Sequence, residues 1–192
     1  MAEIEYRVKP DNVTYDELYD LLFKAHAGNR EKGLIINPNI HNGKDLEEHL
    51  GEGHVCMVAM DGERAVGTLS VRIQKGDRPI TKRLTVGYLM NLGVSEDYRR
   101  RGIGAGLLAK CGEYAAENGA DALVLYVVAR NKAVDLYKES GFLEADFMAR
   151  RTLKQNSIYM IQWLGRHKIP DWVINIYYKM RKLYKTRRYR FQ

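Results

Sequence analysis

The stretch Leu92-Gly-Val-Ser-Glu-Asp-Tyr-Arg-Arg-Arg-Gly-Ile-Gly-Ala-Gly-Leu-Leu108 decides how the chain is read. An apolar run ends at Val94, and Arg99, Arg100 and Arg101 then precede Gly102, Gly104 and Gly106. Gly104, Leu107, Leu108, Cys111 and Ala115 recur at steps of three and four, which predicts a helix with one apolar face. The order is therefore strand, glycine-rich turn, helix. Glycines let a backbone approach an anion closely, and a helix N-terminus offers unsatisfied N–H groups at its positive dipole end. Three arginines add attraction, so a diphosphate is the expected ligand class. The phosphate loop that ends Gly-Lys-Ser/Thr is absent. The dinucleotide fingerprint fails too, because Leu107 stands where its third glycine belongs.

Outward from this stretch the pattern alternates. Ile4 to Lys9 reads as a strand, and Thr14 with Glu17 forms a capping box for a helix with Leu18, Leu21, Leu22 and Ala25 on one face. Gly28 to Gly43 reads as a loop and Asp45 to Leu50 as a short helix. Val55 to Met60 and Ala65 to Ile73 flank an Asp61-Gly62 turn, which predicts a hairpin. Arg83 to Val94 is a long strand, Ala122 to Val128 a strand buried on both faces, and Ala133 to Ser140 a helix stopped by Gly141. Glu144 to Leu153 and Ile158 to Leu164 read as two last strands, and Pro170 opens a last helix. The fold class is mixed α/β, with one strand–helix–strand unit at the centre of a sheet.

Arg99-x-x-Gly102-x-Gly104 after a strand ending Asn91-Leu-Gly-Val94 resembles the acetyl-CoA signature of the GNAT N-acetyltransferase superfamily. Asn131-Lys-Ala-Val-Asp-Leu-Tyr137-Lys-Glu-Ser-Gly141-Phe142 is similar to that family's second segment. The resemblance implies a GNAT-like, mostly antiparallel α+β sheet of about seven strands flanked by helices. It also implies acetyl transfer from acetyl-CoA, as co-substrate, to a primary amine in a ternary complex, with no metal. A small metabolite is the expected acceptor. The alternatives are a protein N-terminus or lysine, or acetyl-CoA binding without turnover in a regulatory protein.

By position, the resemblance assigns the main chain of Leu92, Gly93 and Val94 to the pantetheine arm and thioester. Arg99, Arg100, Arg101, Gly102, Ile103, Gly104, Ala105 and Gly106 fall to the pyrophosphate, Asn131 to the cofactor, and Tyr137 to the general acid. A phenol with a pKa near 10 is a protonated donor at neutral pH, close in acidity to the thiol it would protonate. Members that acetylate protein N-termini often carry a Glu where this chain has Tyr126, so the base for the amine is unassigned. Tyr88, Asn91 and Tyr126 are the candidate acceptor-facing groups. The loop with Asn29, Arg30, Asn37, Asn39 and Asn42, and the segment Gln155 to Tyr159, are further acceptor candidates by analogy of fold. His26, His41, His49, His54 and His167 show no metal-ligand spacing and read as surface or capping residues.

The chain has 31 Lys+Arg and 24 Asp+Glu, a net charge of +7. Residues 166–192 hold nine Lys/Arg against Asp171, or +8, leaving 7 − 8 = −1 for the rest. A near-neutral body argues against a wholly basic nucleic-acid-binding fold. It divides the chain into an acetyltransferase-like domain, 1–165, and a basic extension, 166–192. Val173, Ile176, Tyr177, Met180, Leu183 and Tyr184 give that extension one apolar helical face. It is expected to pack on its own domain or on a second copy in a homodimer, or to touch an anionic surface, membrane or nucleic acid. Cys56 and Cys111 are expected as buried free thiols. With no signal-peptide pattern and no long apolar run, a cytoplasmic location is the expectation.

Overall fold

Thr14 fixes where the first helix begins. Glu17 N donates to Thr14 Oγ1 at 3.2 Å, and Thr14 N donates to Glu17 Oε2 at 2.7 Å, completing the box expected from sequence. The structure is a computed structural model that describes residues 3–34, 39–78, 81–144, 150–152, 155–165 and 179. Its elements are β1 (Glu5–Val8), α1 (Tyr15–Ala25), α2 (Ala27–Glu31), α3 (Gly43–Leu50), β2 (His54–Asp61), β3 (Arg64–Lys75), β4 (Thr85–Val94), α4 (Ile103–Glu117), β5 (Ala122–Val128), α5 (Ala133–Glu139), β6 (Leu143–Glu144), β7 (Arg150–Thr152) and β8 (Gln155–Trp163).

All strands join one sheet in the order β1-β2-β3-β4-β5-β8-β6, with β7 also on β8. Every pairing is antiparallel except β4 with β5. The short β6 and β7 lie along one strand, β8, so the sheet is close to the seven-stranded, mostly antiparallel arrangement expected. Of the stretch from Glu144 to Leu153 expected as one strand, the described residues are Glu144, in β6, and Arg150–Thr152, in β7. The Asn- and Gly-rich stretch after α1 was expected to be loop throughout, yet it begins with the single turn α2. Of its five residues Gly28 and Asn29 are the weak helix formers. The expected C-terminal helix lies outside the described residues, apart from residue 179.

Alternation along the strands builds two covered faces. Leu123, Leu125 and Val127 of β5 pack with Leu107, Leu108, Cys111 and Ala115 of α4 and with Val134 and Tyr137 of α5. On the opposite face, Leu18 and Leu22 of α1 and Leu46 and Leu50 of α3 cover Val58 and Met60. Val86, Ala122, Val124, Tyr159 and Ile161 form a third cluster, built from strands and Leu84. Both cysteines are buried and free. Among the described residues no helix is long and apolar enough to cross a membrane.

Candidate functional site

Two departures from regular pairing open the sheet at one place. β4 pairs with β5 only through Val86↔Ala122, Gly87↔Leu123 and Tyr88↔Val124. Beyond Tyr88 the two strands continue without pairing, so each keeps an edge of main-chain groups facing a gap. On its other edge β4 stays bonded to β3, but the register shifts between Thr68↔Gly93 and Ser70↔Met90. Two β4 residues, Asn91 and Leu92, therefore face the single residue Leu69, and Asn91 takes φ 57°. That is a β-bulge, which bends a strand and re-aims its main chain. The splay and the bulge place Leu92, Gly93 and Val94 beside the opening.

The glycine-rich turn follows a single 3-10 turn, Glu96–Tyr98. Arg100 has φ 60° and Gly102 φ 77°, both left-handed, and Gly102 caps α4 with no side-chain hydrogen bond. The first amide taken up inside the helix is Gly106 N, donated to Gly102 O at 2.9 Å. The amides of Ile103, Gly104 and Ala105 precede it and have no intrahelical acceptor. A concavity of free N–H groups at a helix start suits a phosphate oxygen. Gly104 and Gly106 serve packing as well. A Cβ on Gly104 would lie 2.9 Å from Leu136 of α5, and one on Gly106 would lie 2.4 Å from the Tyr6 ring.

The three arginines divide their labour. Arg99 turns inward: Nη2 donates to Ala25 O at 2.8 Å, Nε to Val94 O at 3.5 Å, and Nη1 lies 3.5 Å from Glu96. It ties the end of α1 to the end of β4. Arg101 lies over the Tyr98 ring at 5.0 Å. Arg100 is exposed beside the free amides.

Asn131 and Tyr137 come from the segment after β5. Asn131 Oδ1 accepts from Ala133 N at 3.0 Å, so this side chain starts α5 and keeps its amide group for other partners. Tyr137 is 8% exposed and meets Phe142 edge-on at 5.7 Å between centroids. Burial pushes its phenol above the usual value, so the hydroxyl stays protonated at neutral pH. Among the described residues that hydroxyl has no hydrogen-bond partner. Tyr88, the last β4 residue paired to β5, meets Tyr126 edge-on at 6.4 Å, and Tyr126 lies 4.9 Å from Tyr159.

Of the acceptor candidates after α1, Asn29, Arg30 and Asn42 are engaged within the protein. Asn42 Oδ1 caps α3 by accepting from Asp45 N at 2.8 Å. Arg30 Nη2 donates to Phe23 O at 2.6 Å, with its guanidinium 3.8 Å from the Phe23 ring. Asn37 and the side chain of Gln155 lie outside the described residues. Among the described residues no group of three or more His, Cys, Asp or Glu could hold a metal ion.

Sequence reading passed over His26 as a surface or capping residue. It does cap α1, but its ring is also hydrogen-bonded to the Leu92 main chain in the bulge, and its Nδ1 lies 3.3 Å from Asn29 Nδ2. Only the fold brings it to Leu92, so no local pattern marks it. Burial, with Arg30 and Arg99 nearby, pulls its pKa down to about 4, against the Leu92 bond, which raises it. A depressed histidine pKa means that the unfolded chain binds the proton first. The associated stability is full above about pH 6.5 and is lost as pH falls towards 4. The loss is expected to reach about 3 kcal/mol at most. His26→Gln is expected to flatten this part of the acid dependence. Melting temperatures of both proteins between pH 7 and pH 4.5 check it, and parallel curves would refute it.

The family model for the acetyltransferase (GNAT) family matches residues 15–142. Among curated relatives, N-alpha-acetyltransferase 30 of Xenopus laevis is 33% identical over 90 residues, 46% of this chain and 32% of that one. N-alpha-acetyltransferase 50 of Danio rerio is 31% identical over 110 residues, 56% of this chain and 62% of that one. The chain thus spans from about a third to three fifths of the length of these relatives. A Bacillus subtilis acetyltransferase solved in complex with CoA superposes with a TM-score of 0.59 at 21% identity, covering 85% of this chain and all of that one. With the family's two motif segments forming one opening between β4, β5, α4 and α5, and the family model spanning most of the chain, the protein belongs to the GNAT family of acetyltransferases.

Proposed function

We propose that the protein moves an acetyl group from acetyl-CoA to the primary amine of a small metabolite, by direct attack in a ternary complex. The observation that carries this reading is the bulged end of β4, unpaired to β5, followed through the glycine-rich turn by an α4 N-terminus with no side-chain cap. An extended pantetheine arm meets the main-chain hydrogen-bonding groups that Leu92, Gly93 and Val94 leave open. The Ile103, Gly104 and Ala105 amides, with Arg100, hold the pyrophosphate. Acetyl-CoA supplies the activated acyl group.

Tyr137, held protonated by its burial, gives its proton to the departing thiolate. The amine approaches from the Tyr88 and Tyr126 side, and it sheds its proton to solvent or a water chain, since neither β4 nor β5 carries a carboxylate there. A small acceptor is supported by Thr81, between β3 and β4, which is fully buried on this side with its hydroxyl 3.4 Å from that of Tyr159. The likeness to N-alpha-acetyltransferases favours a second reading, in which the acceptor is a protein N-terminus.

Thiol release is the test, measured over small amines, N-terminal peptides and lysine peptides, beside calorimetry with acetyl-CoA. Turnover of small amines supports the first reading, and turnover of peptides alone supports the second. Binding without turnover would assign a non-catalytic role. Neither binding nor turnover would sink all three.

A further inference from the structure

We infer that Arg78 sets acceptor specificity and that the acceptor amine carries a second, anionic group, a carboxylate or a phosphate. This rests on the acetyl-transfer reading and narrows its substrate. Arg78 belongs to the loop between β3 and β4. Arg78 and Thr81 of that loop meet Tyr126 and Tyr159 on the sheet face where Tyr88, Tyr126 and Tyr159 stand on three successive strands. Tyr88 closes the paired part of β4 and β5, so these rings lie at the fork of the opening. They are on the side away from α4 and α5, whose core residues come from the other face.

The guanidinium is held in place. Its carbon lies 5.3 Å from the centroid of Tyr126, Nε donates to Tyr126 Oη, and the side chain is 18% exposed. Its carboxylate neighbour, Asp77, sits on the same nitrogen, 3.7 Å from Nε, and is 51% exposed. Among the described residues Nη2 is buried with no hydrogen-bond partner.

An arginine that only pinned the loop would be accounted for by the Tyr126 bond. It would not require a buried, charged donor left unmet, which native structures rarely keep. An Nη2 donor left unmet beside an Nε fixed on Tyr126 matches an anion's oxygen. The aromatic floor holds the fork's plane, and the amine of the same molecule then points into the opening.

The experiment compares acceptors in pairs: glycine and β-alanine against their amides, and phosphoethanolamine against ethanolamine. Thiol release is measured with wild type, Arg78→Met and Arg78→Lys, each checked for folding by circular dichroism. Wild type is expected to prefer the anionic member of at least one pair by about tenfold or more in kcat/KM. The pair that shows the preference separates carboxylate from phosphate. Arg78→Met should lower kcat/KM for the anionic member at least about tenfold more than for its uncharged partner. Arg78→Lys, which keeps charge but loses the fork, should fall between and carries the test if the Met variant does not fold. No preference in wild type, or an equal fall for both members, would overturn the assignment.

If acetyl-CoA binds but no amine turns over, the transfer reading fails by itself. The same pairs are then titrated calorimetrically into the acetyl-CoA-loaded protein. Arg78-dependent binding of the anionic member sustains the site, and its absence ends it.

Discussion

Tyr137→Phe is expected to lower kcat about a hundredfold, with the dissociation constant for acetyl-CoA unchanged within about twofold. The substitution deletes one oxygen. The ring that meets Phe142 edge-on and packs among Leu107, Leu108 and Val134 remains, so α5 keeps its seat. The proton available to the departing thiolate is what goes. Because burial raises the phenol's pKa, the acid form persists across the usual assay range. Tyr137 should therefore impose no alkaline limb on the wild-type rate below about pH 10. Kinetics of thiol release from pH 6 to pH 9, beside acetyl-CoA calorimetry for both proteins, decide the matter. Undiminished kcat would reduce Tyr137 to a packing residue. Equal losses of kcat and acetyl-CoA affinity would point instead to a displaced α5.

Much of this site was legible because its parts are local. The strand, glycine turn and helix from Asn91 to Leu108 are contiguous, and so is the segment from Asn131 to Phe142. Helical periodicity and the Asp61-Gly62 turn placed α4 and the β2–β3 hairpin nearly where they stand. What escaped the reading depends on pairing across long separations. A bulge is a property of two strands, so Asn91 showed its left-handed backbone only once Leu69 was opposite it. The arginine run looked uniform, yet Arg99 finds the carbonyl of Ala25, which is 74 residues away. Arg78 sat in an unremarkable loop until Tyr126 arrived from β5, 48 residues on. His26 went unmarked in the same way, since its partner Leu92 lies on another element.

Those long-range contacts change how charge is read. The chain's basic excess falls in residues 166–192, while the site lies in a body of net charge about −1. On the proposed reading, anion recognition in such a body rests on aimed groups: free amides at a helix start, one exposed arginine beside them, and one guanidinium laid on a tyrosine. The rate of acetyl-CoA capture should then depend only moderately on salt, unlike capture by a broad basic patch.

Gly102→Val is expected to weaken acetyl-CoA binding more than about tenfold, equivalent to about 1.4 kcal/mol or more. The reason is conformation, not crowding. A Cβ at Gly102 would meet nothing within 4 Å, but φ is +77°. A β-branched residue held there pays strain of about 1–3 kcal/mol. The chain can relieve it by turning φ negative, which swings the plane that sets the Ile103, Gly104 and Ala105 amides. Either the helix start stays strained or its amides miss the pyrophosphate. Asn tolerates the left-handed region better than valine, so Gly102→Asn should lie much closer to wild type. Calorimetric titration of CoA into the three proteins, with melting temperatures alongside, separates the two costs. A valine variant that binds as wild type does would remove the α4 N-terminus from the site. One that melts early but binds normally would confine Gly102 to a folding role.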